Sequence, residues 1–186
     1  MRERAEIRSL ITMWVKTMEQ SFKGQSLVIR KASVMDASAI LILWQDAAKW
    51  LQAKGIDQWN PEGFTLERVI KYMNNGSDIY LAQLIDEYVG TFTITWKDPF
   101  IWGELDNSES GYIHKLAVDR KFKGLGIGHK LLRLAEDEIR KKGKKFIRLD
   151  CMADNIKLNQ YYRDYGYQYI DRTDGEGWSA NLYEKH

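Results

Sequence analysis

The sequence has one cysteine, Cys151, among 186 residues. An intrachain disulfide is therefore excluded, and with no Cys or Cys/His pairs at ligand spacing no metal site is expected. A lone thiol suits a reducing compartment, so a cytoplasmic location is the expectation. Long apolar runs are missing too: none approaches the roughly 18 residues that a membrane-spanning helix needs, so no membrane partner is expected. Residues 2–9 are mostly charged and no continuous apolar core follows, which does not read as a signal peptide. Excess charge of one sign is also lacking. The 28 Lys and Arg against 26 Asp and Glu leave +2, too little to argue for a nucleic-acid partner. The basic run at 140–145 falls at a helix end, where it is solvated and suits the helix dipole. There are no repeats and no low-complexity segments.

What is present is ordinary in amount and uneven in place. An apolar fraction of 44% and a charged fraction of 29% fit one globular domain. Seven Trp and ten Tyr are many for this size, and large aromatics fill cores or wall small-molecule pockets. Residues 5–22 space Ile7, Leu10, Ile11, Trp14, Val15, Met18 and Phe22 as an amphipathic helix, a 1–24 extension before a single domain at 25–186. Its apolar stripe calls for burial against the domain or against a second protomer in a homodimer. A strand at 27–30 follows. Ser33 and Asp36 form a capping box that opens a helix to about Lys54. A loop at 55–63 holds Trp59, and Thr65 caps a helix to about Met73. Segments 79–85 and 88–96 read as an antiparallel hairpin. A polar loop at 97–110, a strand at 112–118, a helix ending near Gly143, a strand at 145–152, a helix at 155–165 and strands at 167–170 and 179–184 complete the chain.

The stretch "AVDRKFKGLGIGHKLL" (117–132) sets Gly124, Gly126 and Gly128 between a strand and a helix. A dinucleotide fingerprint would need glycine at His129 or Leu131, and a phosphate-binding P-loop would need it at His129, so both fail. A helix start with bared backbone suits an anion, and a plain strand-to-helix turn suits the residues equally.

Taken with "DNIKLNQYYRDYGYQYI" (154–170), the stretch resembles the GNAT superfamily of N-acetyltransferases, over about residues 27–185. The resemblance implies an α/β domain with a mostly antiparallel central sheet and helices on both faces. It implies acetyl-CoA as co-substrate and a primary amine of a small molecule or a protein as acceptor, by direct attack in a ternary complex. In the family a basic or Gln residue and two glycines bind the pyrophosphate. Lys123, Gly126 and Gly128 hold those places, within the stretch Lys123, Gly124, Leu125, Gly126, Ile127 and Gly128. Lys departs from the usual Arg or Gln. The pantetheine arm would lie along Leu116, Ala117 and Val118, with an N–H of Ala117 or Val118 polarising the carbonyl. Asn155, Tyr162 and Gly166-Tyr167 match the later motif, and Tyr162 becomes the candidate acid for the leaving thiolate.

His114 lies just before the cofactor-facing stretch and is the candidate base, with Glu104 and Glu109 as rivals. Tyr112, Trp59, Trp102 and Glu104 are candidates for acceptor contact, with Asp57 and Asp106 near enough to suit an amine cation. Cys151 reads as a small buried apolar residue. Two other functions fit the same residues: a non-catalytic acyl-CoA sensor, and a toxin-type enzyme acting on aminoacyl-tRNA.

Overall fold

The computed structural model describes residues 18–22 and 25–186. Eight strands form one sheet in the order β1-β2-β3-β4-β5-β6-β8-β7. They are β1 (Met18–Phe22), β2 (Gln25–Lys31), β3 (Asp78–Leu84), β4 (Glu87–Thr95), β5 (Ser110–Val118), β6 (Phe146–Met152), β7 (Gln168–Gly175) and β8 (Trp178–Lys185). Neighbours are antiparallel throughout, except that β5 and β6 run parallel. The helices are α1 (Ala37–Ala53), α2 (Leu66–Asn74), the short α3 (Pro99–Trp102), α4 (Ile127–Lys141) and α5 (Ile156–Asp164). This is the mostly antiparallel α/β architecture that the resemblance implies. Among the described residues no helix is long and apolar enough to cross a membrane.

Two-residue alternation along the strands separates the layers. Tyr80, Ala82 and Leu84 of β3 and Phe92 and Ile94 of β4 pack with Ile127, Leu131, Leu132, Ala135 and Ile139 of α4. Ile79 and Leu81 of β3 turn to the other face, against Ile40, Leu43 and Trp44 of α1 and Val69 of α2. α4 carries its apolar residues at helical spacing, as the sequence predicts, and ends with Arg140 and Lys141 in its last turn. The predicted hairpin is β3–β4, turning through Ile85 and Asp86.

One expectation is corrected. The helix read at 5–22 does not reach its end, because Met18–Phe22 is a strand paired antiparallel to β2, from Met18↔Ile29 to Phe22↔Gln25. Apolar residues at 18 and 22 fit both periods, and β2 would otherwise present an unpaired edge of backbone N–H and C=O groups. The rest of that helix, residues 5–17, lies outside the described residues.

The start of α1 is anchored electrostatically. Arg30 of β2 holds Asp36 through two bonds of 2.6 and 2.8 Å, and the Ser33 N–H donates to the same carboxylate at 2.8 Å. The Arg30 guanidinium outweighs the cost of burial and holds the Asp36 carboxyl down at about 2. A carboxyl lowered on folding stabilises above its ordinary value and loses that contribution as pH falls through it. Asp36→Asn should therefore cost on the order of 2 kcal/mol at pH 7. In urea melts, the gap between variant and wild type should close as pH drops from roughly 4 to roughly 2. A gap of the same size at both ends would remove the ion pair as its cause.

Candidate active site

β5 serves two neighbours for only part of its length. It pairs with β6 from Ser110↔Phe146 to Ile113↔Leu149, and no ladder joins them beyond. β6 goes on to Met152 with β8 as its partner, and β5 goes on to Val118 with β4. A bulge accompanies the parting. Thr93 faces His114 and Thr91 faces Ala117, so Lys115 and Leu116 together oppose Phe92. Lys115 takes φ 50°, a left-handed backbone that a side chain rarely adopts. β4 follows closely because Gly90 is bare: a Cβ there would lie 2.9 Å from the Ala117 carbonyl oxygen and 2.9 Å from Leu131.

The direction of the β5 amides follows by alternation. The Asp119 N–H donates to Val89 O on the β4 side at 2.9 Å. Two residues back, the Ala117 amide turns the same way, so the amides of Leu116 and Val118 face the opened side. Of the two expected carbonyl-polarising donors, Val118 faces the opening and Ala117 does not.

α4 begins beside this opening. Gly126, its N-cap, takes φ 74°, and no side chain caps the helix. Among the described residues, the amides of Ile127, Gly128 and His129 have no hydrogen-bond partner, and the first turn holds no acid. Gly128 is different from Gly126: a Cβ there would meet nothing nearer than Tyr161 Oη and Val118 Cγ2, both at 3.8 Å. The fold has room for a side chain that the sequence omits, which leaves the first-turn amides uncovered. Lys123 stands exposed beside them. Ile127 and Leu125 turn their side chains to the core, and the Leu125 N–H is taken by Phe122 O at 3.4 Å. Leu125 therefore offers neither side chain nor amide to an anion.

His114 sits between two carboxylates. Its Nε2 is 3.3 Å from Asp98 Oδ2, and its Nδ1 is 3.6 Å from Asp150 Oδ1. One atom from each of the three residues lies within 4.8 Å of the others, the span of a metal cluster. The two carboxylates meet opposite ring nitrogens, however, and an imidazole gives one nitrogen to a metal. The imidazole lies between two carboxylates, one near each ring nitrogen, and makes a hydrogen bond to neither among the described residues. Burial, with Asp98 adding to it, raises the Asp150 carboxyl, against the pull of His114 and Lys115. Thr93 Oγ1, Thr95 Oγ1 and Asp98 Oδ2 are enclosed without a hydrogen-bond partner among the described residues. All three belong to this face, so polar capacity is left over beside His114.

Tyr162 of α5 is buried on the other face, with its ring against Tyr161, Tyr167 and Tyr183. Burial, then Cys151, Tyr161 and Asp150, push its phenol well above the ordinary tyrosine value, so it keeps its proton across the working range. Among the described residues no hydrogen bond uses its hydroxyl. Cys151 is inert for the same reason, its thiol pushed up to about 12 by burial and then by Asp150. Asp150 and Cys151 are adjacent on β6 and alternate faces, so one strand step separates the His114 side from the Tyr162 side.

Several expected site residues have other work. Tyr112 is 0% and Trp102 2% exposed, and they form a buried cluster with Leu182, so neither presents a face to an acceptor. Trp102 lies in α3, inside what reads as a loop, and the Arg148 guanidinium covers its ring at 4.5 Å. Glu109 is held by Lys145, and Glu104 is exposed on a turn. Asp106 accepts from the Asp98 N–H at 3.0 Å, and Asp57 is exposed. Trp59 is half-buried, edge-on to Phe64 at 5.6 Å. Asn155 caps α5 by accepting from the Leu158 N–H at 3.2 Å. Sequence reading missed Asp98, Asp150 and Lys115. The available signal was a charge at Asp150 and at Lys115 inside strands otherwise built to be buried.

A central parallel pair that opens over an uncapped helix start is the frame of an acetyl-transferring enzyme. The chain belongs to the acetyltransferase (GNAT) family, whose model matches residues 44–167. It is 32% identical over 157 residues to the uncharacterized N-acetyltransferase YesJ of Bacillus subtilis, covering 81% of this chain and 84% of that one. A GNAT-family acetyltransferase of Listeria monocytogenes superposes with a TM-score of 0.75 at 27% identity, over 90% of this chain and 99% of that one. The PaiA N-acetyltransferase of Thermoplasma acidophilum, solved in complex with coenzyme A, shares the fold at 22% identity, with a TM-score of 0.67 over 86% and 98% of the two chains.

Two glycines give opposite expectations for stability. Gly90→Ala forces a Cβ onto a carbonyl and a core leucine, and should cost about 1–3 kcal/mol. Gly128→Ala fills open space in a helical turn and should be neutral or stabilising by up to about 1 kcal/mol. Thermal melts of the two variants check the pair, and a destabilised Gly128→Ala would show that the fold itself needs that glycine.

Proposed function

We propose that the chain transfers an acetyl group from acetyl-CoA to a primary amine by direct attack in a ternary complex. The opened side of β5 carries this reading. It sets free strand amides, a bare helix start and two proton-handling side chains around one gap. The fit to acetyl-CoA rests on Gly128, where room for a side chain stands empty above uncapped amides. Those amides and Lys123 would hold the pyrophosphate, and Leu116 to Val118 the pantetheine arm. Acetyl-CoA, when bound, supplies the thioester.

The remaining steps belong to the chain. His114 takes a proton from the acceptor ammonium at one ring nitrogen, and Asp98 and Asp150 stand close enough to offset the positive charge it gains. As the amine attacks, the Val118 N–H donates to the carbonyl oxygen where negative charge develops. As the C–S bond breaks, Tyr162 Oη hands its proton to the departing sulfur, and the second proton shed by the new amide nitrogen returns to the phenolate, whose raised value keeps that donor loaded. A second reading, in which the fold only senses acyl-CoA, does not use the unpaired Tyr162 hydroxyl or the imidazole set between two carboxylates.

Thiol release with a panel of amines tests the transfer directly. Tyr162→Phe should lower kcat by roughly 10²–10⁴-fold with little change in acetyl-CoA affinity. Near wild-type turnover under chemistry-limited conditions would exclude the acid role. Gly128→Val should stay folded and bind acetyl-CoA at least about tenfold more weakly by calorimetry, because the side chain enters the space the diphosphate needs. Unchanged affinity would remove the cofactor assignment.

A further inference from the structure

We infer that the acceptor amine carries an anionic group, a carboxylate or a phosphate, seated at Lys115 between α1 and α2; this rests on the acetyl-transfer reading. Lys115 follows the imidazole directly, and the bulge sends its side chain to the same face: both His114 and Lys115 act on the Asp150 carboxyl. Its ammonium lies 4.3 Å from the Tyr72 ring centre and 5.5 Å from that of Trp44, and donates to Tyr72 Oη at 3.1 Å.

Among the described residues no acid pairs with it directly, although the Asp150 carboxyl feels its charge. Among the described residues, Lys115, Arg68 and Lys71 have no carboxylate within ion-pair distance. Arg68 and Lys71 flank Tyr72 along an open groove of about 490 Å³ lined by Thr65, Glu67, Arg68, Lys71, Tyr72 and Asn75; Lys115 does not line it and meets its Tyr72 wall from β5. Burial alone would push the Tyr72 phenol up, yet Lys115 and Arg68 bring it below its ordinary value, a sign of a positive field on that phenol. An ammonium half-buried with aromatic walls and no directly paired carboxylate is a seat for an anion supplied from outside.

The two ends of the face are complementary to one kind of molecule. Asp98, His114 and Asp150 suit an ammonium, and Lys115 with Tyr72 and Arg68 suits an anion. Neighbouring Cα atoms lie about 3.8 Å apart, so the two groups of the acceptor are separated by only a few bonds. Dicationic polyamines and neutral alkylamines lack the second group.

Matched amines test this. β-Alanine and O-phosphoethanolamine, one with a carboxylate and one with a phosphate, are compared with propylamine, ethanolamine and putrescine. In wild type kcat/KM should favour at least one anion-bearing amine by about tenfold or more over its neutral partner, and the better of the two identifies the anion. Lys115→Met should collapse that ratio, exposed Arg68→Gln should reduce it, and Lys115→Arg should keep most of it, with melting curves showing each variant folded. Inorganic phosphate should compete with the amine in wild type and not in Lys115→Met. Equal or better use of propylamine or putrescine overturns this inference and leaves acetyl transfer standing, as does a ratio that survives both Lys115→Met and Arg68→Gln. Failure to acetylate any amine overturns the transfer and this inference with it.

Discussion

β5 cannot satisfy two neighbours along its whole length, and the arrangement of the site follows from that. It keeps β4 through Val118 and gives up β6 after Ile113. The amides of Leu116 and Val118 then face an opening, and a strand amide without a partner costs roughly 1–3 kcal/mol unless water or a ligand meets it. The sheet confines that cost to one place. β6 keeps β8 on its far side through Met152, so the two open edges face each other across one gap, β5 after Ile113 and β6 after Leu149. A ligand lying along the β5 edge would complete a ladder that the protein leaves unfinished.

Holding the two sides of the opening at fixed spacing takes polar ties as well as packing. Arg148 of β6 donates to Glu184 of β8 at 2.8 Å, to Leu105 O at 2.6 Å and to Tyr112 Oη at 3.3 Å. This pins the segment after α3 onto the sheet, so that Asp98 at its start can reach His114. The ion pair is weak evidence for net stability, since replacing both partners by apolar groups is often neutral, but breaking it by removing one costs about 3–5 kcal/mol. Across the opening, Asn159 of α5 donates to Met152 O at 2.9 Å and accepts from Asn181 and Tyr183 at 2.7 and 2.8 Å. Every polar atom of that amide faces protein, which fixes the helix that carries Tyr162.

What was legible in the sequence was local. The glycine pattern announced an uncovered helix start, and the spacing of Ile127, Leu131, Leu132, Ala135 and Ile139 announced the helix that follows. Alternation marked the β3–β4 hairpin, and Asn155 with Tyr162 marked the later helix. Features that depend on distant partners were hidden. Asp98 and Asp150 meet only because β5 lies between them in space, and nothing in "KDPF" or "RLDCM" names His114. Trp102 and Tyr112 looked like acceptor contacts because a tryptophan in a polar loop suggests exposure, but Arg148 and Leu182 bury them. Met18–Phe22 satisfied the helix period, and an open strand edge decided otherwise.

The identity of the residue at the bulge is the most informative single choice in the chain. A left-handed backbone costs an ordinary side chain about 1–2 kcal/mol and costs glycine almost nothing. At Gly126, with φ 74°, the sequence places glycine, whereas Ile85 in the exposed β3–β4 turn takes φ 56° without one. At position 115 the sequence accepts the strain and places lysine, with φ 50°. It then surrounds the ammonium with Trp44 and Tyr72 and leaves it, among the described residues, without a directly paired carboxylate. Solvent exposure would have been the cheaper fate for that charge, since a lysine on a strand edge normally reaches water. A strained backbone and a cation without a directly paired carboxylate meet at the same residue, one step from His114, and the proposed anion seat rests on that coincidence.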